Sequence, residues 1–328
     1  MVFCILSGSL SVGKNVCRIS GGQSFQEGQD RYFKKKHWTA ASNVLVSTVI
    51  FRIVCICIYR FGTVKLVGIQ EKMFDQRGWQ KFDYDINVAR WSEVAQKKGL
   101  TVLEDPKMRA KWLQCEGTWF VGVDALPSDP TGRIGDVDLK GTVIDWLSNV
   151  DTKPLHPAQL SVMFEGYPKP REGENKAAFG YRLNRDAAHV DGLLPVGKDR
   201  RRMLKEPHAY ILGLPLNETS PEASPLVVWE GSHIIMAEAF QKAFEGHDPQ
   251  GWNQIDVTEI YQAMRKKVFE TCRRVTVHAL PGEAYVLHRL ALHGVAPWVK
   301  GAVAPEQGRM IAYLRPELAD LSQWPFLT

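Results

Sequence analysis

His189 and Asp191 stand two residues apart in Asn184-Arg185-Asp186-Ala187-Ala188-His189-Val190-Asp191-Gly192. On an extended backbone, side chains at i and i+2 project to the same side. One imidazole nitrogen and one carboxylate oxygen can then reach a single cation. A third ligand has to come from elsewhere. The segment Gly282–Gly294, far downstream, holds two histidines, His288 and His293. Two histidines and one carboxylate on one face of a metal leave further positions open, the ligand set of non-haem Fe(II) oxygenases. A His-x-Asp pair is a weak signal by itself. Its context strengthens it: the pair follows one expected strand, a downstream histidine ends another, and Arg309 opens the last.

The elements that would position these residues are mostly short β segments. From residue 155 onward, strands are expected at Ala158–Phe164, Ala177–Leu183, Ala209–Pro215, Leu226–Trp229, Val275–Ala279, Ala284–Leu290 and Met310–Leu314. Turn residues such as Gly166-Tyr167-Pro168 and Pro281-Gly282 punctuate them. Helices are expected over Ile235–Phe244 and Val257–Cys272, the latter striped by Ile260, Met264, Val268 and Cys272. Upstream, residues 86–98 read as an amphipathic helix ended by Gly99, 111–126 as buried strand or packed loop, Ser128–Asp138 as loop, and Thr142–Leu147 as the opening of another helix. The pattern predicts a mainly β fold with flanking helices, in the manner of a sandwich or jelly roll.

Composition divides the chain at residue 72. Residues 1–72 carry ten Lys/Arg against three Asp/Glu, so the net +5 resolves into +7 there and −2 over residues 73–328. The body therefore has no electrostatic footprint for nucleic acid. All 18 prolines follow residue 72, and four of the six cysteines (Cys4, Cys17, Cys55, Cys57) precede it. Cys115 and Cys272 alone make no disulfide framework and fit a reducing, cytoplasmic compartment. The apolar run Val44–Ile58 is short for a membrane span and is interrupted by Arg52, so a membrane tether is not expected. Residues 1–72 read as a basic, Cys-containing extension, weakly ordered or preceding a true start at Met73. Residues 73–328 read as one domain.

Four segments resemble the phytanoyl-CoA dioxygenase family of Fe(II)/2-oxoglutarate oxygenases: AAHVDGL at 187–193, WEGSH at 229–233, PGEAYVLHRLALHGVAPW at 281–298 and GRMIAYLRP at 308–316. The resemblance implies a double-stranded β-helix (jelly-roll) core over about residues 155–316. It implies Fe(II) on His189, Asp191 and His293, the last because family members read His-Gly there. It implies Arg309 as the anchor of the 2-oxoglutarate carboxylate, and O2 as second co-substrate. The implied activity is hydroxylation of a small organic substrate with release of succinate and CO2. Two departures stand out. Glu230 replaces a usual proline, and the gap from His293 to Arg309 is long, which brings Arg315, on the same strand face, into view as an alternative. His288 would face the other way from His293 on one regular strand.

Other residues bear on chemistry with less weight. Tyr210 alternates with His208 and Leu212 and is expected to touch 2-oxoglutarate if that face lines the core. Arg182 and Asn184, on the run into the metal motif, are expected to contact substrate. The basic run Lys198–Lys205 offers positive charge for an acidic substrate, or is simply a solvated loop. His233 is expected to be structural. Two alternatives to the oxygenase remain open: a catalytically silent jelly-roll binding module, and a cupin-like metal enzyme that does not use 2-oxoglutarate. The sequence identifies neither the substrate nor the oligomeric state.

Overall fold

A computed structural model describes residues 73–327, so the expectations for residues 1–72 lie outside the described residues. Strand β1 (Trp79–Phe82) leads into α1 (Ile86–Glu104) and α2 (Pro106–Trp112). The short strands β2 (Leu113–Gln114) and β3 (Trp119–Phe120) follow, then α3 (Thr142–Leu147), β4 (Gln159–Met163) and α4 (Lys176–Asn184). Next come β5 (Leu193–Val196), β6 (Arg201–Leu204), β7 (Tyr210–Pro215) and β8 (Leu226–Glu230). Helices α5 (Ser232–Phe244) and α6 (Thr258–Thr271) precede β9 (Arg273–Val277), β10 (Ala284–His288), β11 (His293–Val295) and β12 (Arg309–Leu314).

The strands form a seven-stranded sheet in the order β1-β10-β7-β12-β4-β3-β2, a three-stranded sheet β11-β8-β9, and the pair β5-β6. Neighbouring strands are antiparallel throughout. Side-chain alternation fixes what each sheet face meets. In β12, Met310, Ala312 and Leu314 join the cluster beneath α1, while Ile311 faces the other way. Ile311 there joins Ile211, Tyr285 and Leu287 of the large sheet and Leu226, Val228 and Val277 of the small one. That shared cluster packs the two sheets face to face. The outer face of the small sheet carries Val227 and Trp229, covered by Phe240 of α5 and by Tyr261 and Val268 of α6.

Helix α1 buries Val88, Trp91, Ala95 and Leu103, a stripe at helical spacing. Asp85 caps it: its carboxylate accepts from Asn87 N at 2.8 Å and also from Thr142 N at 2.9 Å, tying the starts of α1 and α3 together. The helix runs through Gly99 to Glu104 instead of stopping there. Gly99 is buried against Leu160 and Met310, and this packing outweighs its low helix propensity. The expected strand Ala177–Leu183 is instead helix α4. Asn175 caps it, its side chain accepting from Ala178 N at 2.8 Å. The strand expected at Val275–Ala279 begins two residues earlier, at Arg273. Among the described residues, no helix is long and apolar enough to cross a membrane.

Candidate metal centre

The chain between α4 and β5 is bent by two non-glycine residues with positive φ, Asp186 (51°) and Ala187 (52°). Arg274 of β9 secures the bend, donating from Nε and Nη2 to the buried Asp186 carboxylate, both at 2.8 Å. The bend brings His189 alongside β11. The backbone N–H of His189 donates to the His293 carbonyl at 2.8 Å, and that of His293 donates back to the His189 carbonyl at 3.0 Å. His293 is itself paired with Val228 of β8. Between the two motif residues, Val190 N donates to the Tyr261 hydroxyl of α6 at 3.0 Å. Gly294 makes the close approach possible: a Cβ there would lie 2.1 Å from the Asp186 carbonyl oxygen.

The side chains converge. One ligand atom from each of His189, Asp191 and His293 lies within 4.8 Å of the others. Asp191 Oδ1 is 3.1 Å from His189 Nε2 and 3.7 Å from His293 Nε2. On the far side of each ring, His189 Nδ1 meets the Ala187 carbonyl at 3.0 Å and His293 Nδ1 meets that of Ala291 at 2.9 Å. A carbonyl only accepts, so each Nδ1 donates, and in the neutral ring this leaves Nε2 with a lone pair facing inward. Burial pushes His293 down to about 4, which keeps it neutral near pH 7. For Asp191 burial acts upward, but the Arg315 guanidinium beside Oδ2 holds the carboxyl well below its usual range. Two lone pairs and a carboxylate oxygen pointed at one another repel, and a cation relieves that repulsion. The residues thus fit a metal, and the N2O donor set suits a divalent ion such as Fe(II). The His189 side chain is 50% exposed, against 9% for Asp191 and 8% for His293, so the cluster opens to solvent on the His189 side.

Arg309 begins β12 opposite Met163 and is buried. It shares its strand face with Ile311, which points between the sheets, and its guanidinium lies near the buried Tyr285 hydroxyl. That hydroxyl donates to the Tyr313 hydroxyl at 3.0 Å. On the same face, beyond Tyr313, Arg315 reaches Asp191 Oδ2 from Nη1 at 3.3 Å. Tyr285 and Tyr313 were not singled out from the sequence. The signal was the two-residue period through 309, 311, 313 and 315.

Other expected contacts are corrected. Tyr210 lies on the opposite face of β7 from Ile211, packed with Leu212 and Leu214 in the cluster under α1. It is therefore turned away from the space between the sheets. Arg182 and Asn184 sit on a helix, where an i, i+2 step separates rather than aligns side chains. Arg182 is buried and occupied: Nη1 meets Cys115 Sγ at 2.6 Å, and Nη2 pairs with Glu174 and donates to the Lys169 carbonyl at 3.1 Å. Asn184 is exposed at the end of α4. His288 faces away from the inter-sheet space, its Nδ1 accepting from Leu290 N at 3.1 Å and its ring 5.0 Å from that of His233. In the basic run, Arg201 pairs with Asp256 and Glu259, Arg202 donates to the Leu193 carbonyl at 3.0 Å, and Lys205 donates to that of Asn253 at 2.6 Å. Much of its charge is spent within the protein.

No protein-family profile and no curated protein matches this chain. Among solved structures, it is similar to the non-heme alpha ketoglutarate dependent carbocyclase SnoK from nogalamycin biosynthesis, at 11% identity and TM-score 0.44, over 76% of this chain and 83% of that one. It is also similar to EctD from S. alaskensis with bound Fe, at 19% identity and TM-score 0.43, over 76% and 75% of the two chains. A third similarity is to AviO1 from Streptomyces viridochromogenes Tue57, at 13% identity and TM-score 0.39, over 77% and 95%. These likenesses are distant, and the chemistry of this chain has to be read from its own residues.

Proposed function

We propose that this chain is an Fe(II)- and 2-oxoglutarate-dependent dioxygenase that hydroxylates a small organic substrate, with O2 as second co-substrate and succinate and CO2 as products. The observation that carries the reading is the His189–Asp191–His293 cluster, with each outward Nδ1 engaged by a backbone carbonyl and each inward Nε2 placed to ligate. The strand arrangement supports a double-stranded β-helix. Strands β10, β7, β12 and β4 are neighbours in the large sheet, and the His189 segment, β11, β8 and β9 are neighbours opposite them. Four antiparallel segments facing four is the strand count of a jelly roll.

When bound, the metal and 2-oxoglutarate supply the power to oxidise a C–H bond, and the protein supplies binding, orientation and shielding. His189, Asp191 and His293 hold the ion from one side. Arg309, buried beside the Tyr285 hydroxyl, offers a forked donor for the distal carboxylate of 2-oxoglutarate. A cavity of about 150 Å³ is lined by Gln159, Glu206, His208, Tyr313 and Arg315, among others, and Arg315 links it to Asp191.

Anaerobic titration with Fe(II) and 2-oxoglutarate tests the reading through the visible charge-transfer band of the chelated ion. The band is expected in the wild type and absent in His189→Ala. A wild type that shows no band at saturating metal and co-substrate would overturn the proposal and leave a binding module in its place.

A further inference from the structure

The two oxygens of Asp191 do different things. Oδ1 faces the two Nε2 atoms, whereas Oδ2 is met by Arg315 Nη1 at 3.3 Å. Arg315 is in turn held from several directions. Its Nη2 donates to Gln159 Oε1 at 2.6 Å. Its carbonyl accepts from His208 Nδ1 at 3.0 Å, and the other ring nitrogen of His208 meets Glu206 Oε2 at 3.2 Å. Just beyond, the Pro316 carbonyl accepts from Ala209 N at 2.7 Å. The Asp191 side chain is only 9% exposed, so water has little access to replace the guanidinium.

We propose that Arg315, braced by Gln159, is a positioning residue that divides the Asp191 carboxylate, reserving Oδ2 for itself and leaving Oδ1 as the sole metal-binding oxygen. This rests on the metal-binding reading above. A carboxylate can engage a cation through one oxygen or both. An unrestrained Asp191 would swing to chelate with both and occupy one of the positions that a three-ligand face leaves open. The Arg315–Gln159 bracket opposes that rotation with a planar fork, and partners that orient a ligand commonly set metal affinity by 10- to 100-fold.

The probe is Co(II) alone, without 2-oxoglutarate, followed by its d–d absorption and its dissociation constant. Arg315→Ala is expected to alter the spectrum and to loosen Co(II) by about tenfold or more. Arg315→Lys recovers part of the affinity, because one ammonium cannot hold Asp191 and Gln159 as a fork does. Gln159→Leu shifts the spectrum in the same direction by less. Near-UV circular dichroism reports whether each variant folds, and if Arg315→Ala does not, Gln159→Leu decides alone. A spectrum and affinity equal to wild type in the deciding variant overturn the proposal. If 2-oxoglutarate affinity falls while Co(II) binding is unchanged, Arg315 anchors the co-substrate instead. If the wild type binds no Co(II), or His189→Ala binds it equally well, the metal reading fails and takes this proposal with it.

Discussion

Arg309 and Arg315 share one strand face but have different neighbours, so their substitutions are expected to separate. Arg309 lies near the Tyr285 hydroxyl and, among the described residues, pairs with no carboxylate. Arg309→Ala is expected to weaken 2-oxoglutarate binding about 10- to 100-fold, the worth of a charge-assisted pair, with Arg309→Lys recovering little. Metal binding without co-substrate should be unaffected. Buried histidines set a second expectation. Burial holds His233 below its ordinary 6.5, and burial together with Arg289 and His233 holds His288 well below it. The unfolded chain therefore takes up protons near pH 6.5 that the folded chain refuses. Stability is full above that pH and declines as pH falls toward the folded values. Melting temperature should drop between about pH 7 and pH 5. His288→Asn, which keeps an acceptor for Leu290 N, should flatten that slope while lowering stability at neutral pH.

At the scale of elements, the metal motif depends on a bend that neither ligand makes. Arg274→Ala would leave the buried Asp186 carboxylate without its two donors, at a cost of about 1.5–3 kcal/mol. The variant is expected to unfold at lower denaturant and to bind Co(II) more weakly, since the bend aligns His189 with His293. Much of the architecture was legible from sequence. The strands around Leu160, Leu212, Val228, Val286 and Ala312 and the helices α5 and α6 carry clear periodicities, and His189, Asp191 and His293 do come together. The failures have physical causes. Lys176–Asn184 has mixed small and aromatic residues with no apolar stripe, so its helix is declared mainly by the Asn175 cap. Tyr210 was assigned by alternation alone, which fixes which residues share a face but not which face turns inward. Arg274 reaches Asp186 from 88 residues away, and nothing local announces it.

Within residues 73–327, α1, the large sheet, the small sheet and the pair α5–α6 stack in layers, and the residues near Trp324 fasten onto this stack. Buried Arg289, next to β10, donates to the carbonyls of Trp324 at 2.9 Å, Gln323 at 2.7 Å and Phe326 at 2.6 Å. Trp324 is fully buried against Phe240 and Phe244 of α5. Deleting residues 322–328 would remove three of the carbonyls that hold the buried guanidinium and empty an indole-sized space, each a source of destabilisation. A loss of about 3–5 kcal/mol or more is expected in chemical denaturation. Trp324→Ala should account for most of it.

The reciprocal backbone pair between His189 and His293 carries a consequence for the protein without metal. The spacing of the two rings is set by peptide groups that are satisfied whether or not an ion is bound, so ligation need not freeze a loose loop. The amides of His189 and His293 should exchange slowly with deuterated solvent even after exhaustive chelation, and added ion should slow them only modestly. Rapid exchange in the stripped protein would mean that the ion assembles its own site. Slow exchange would mean that the ion enters a seat already built, and that a preparation emptied by chelator can be refilled without refolding.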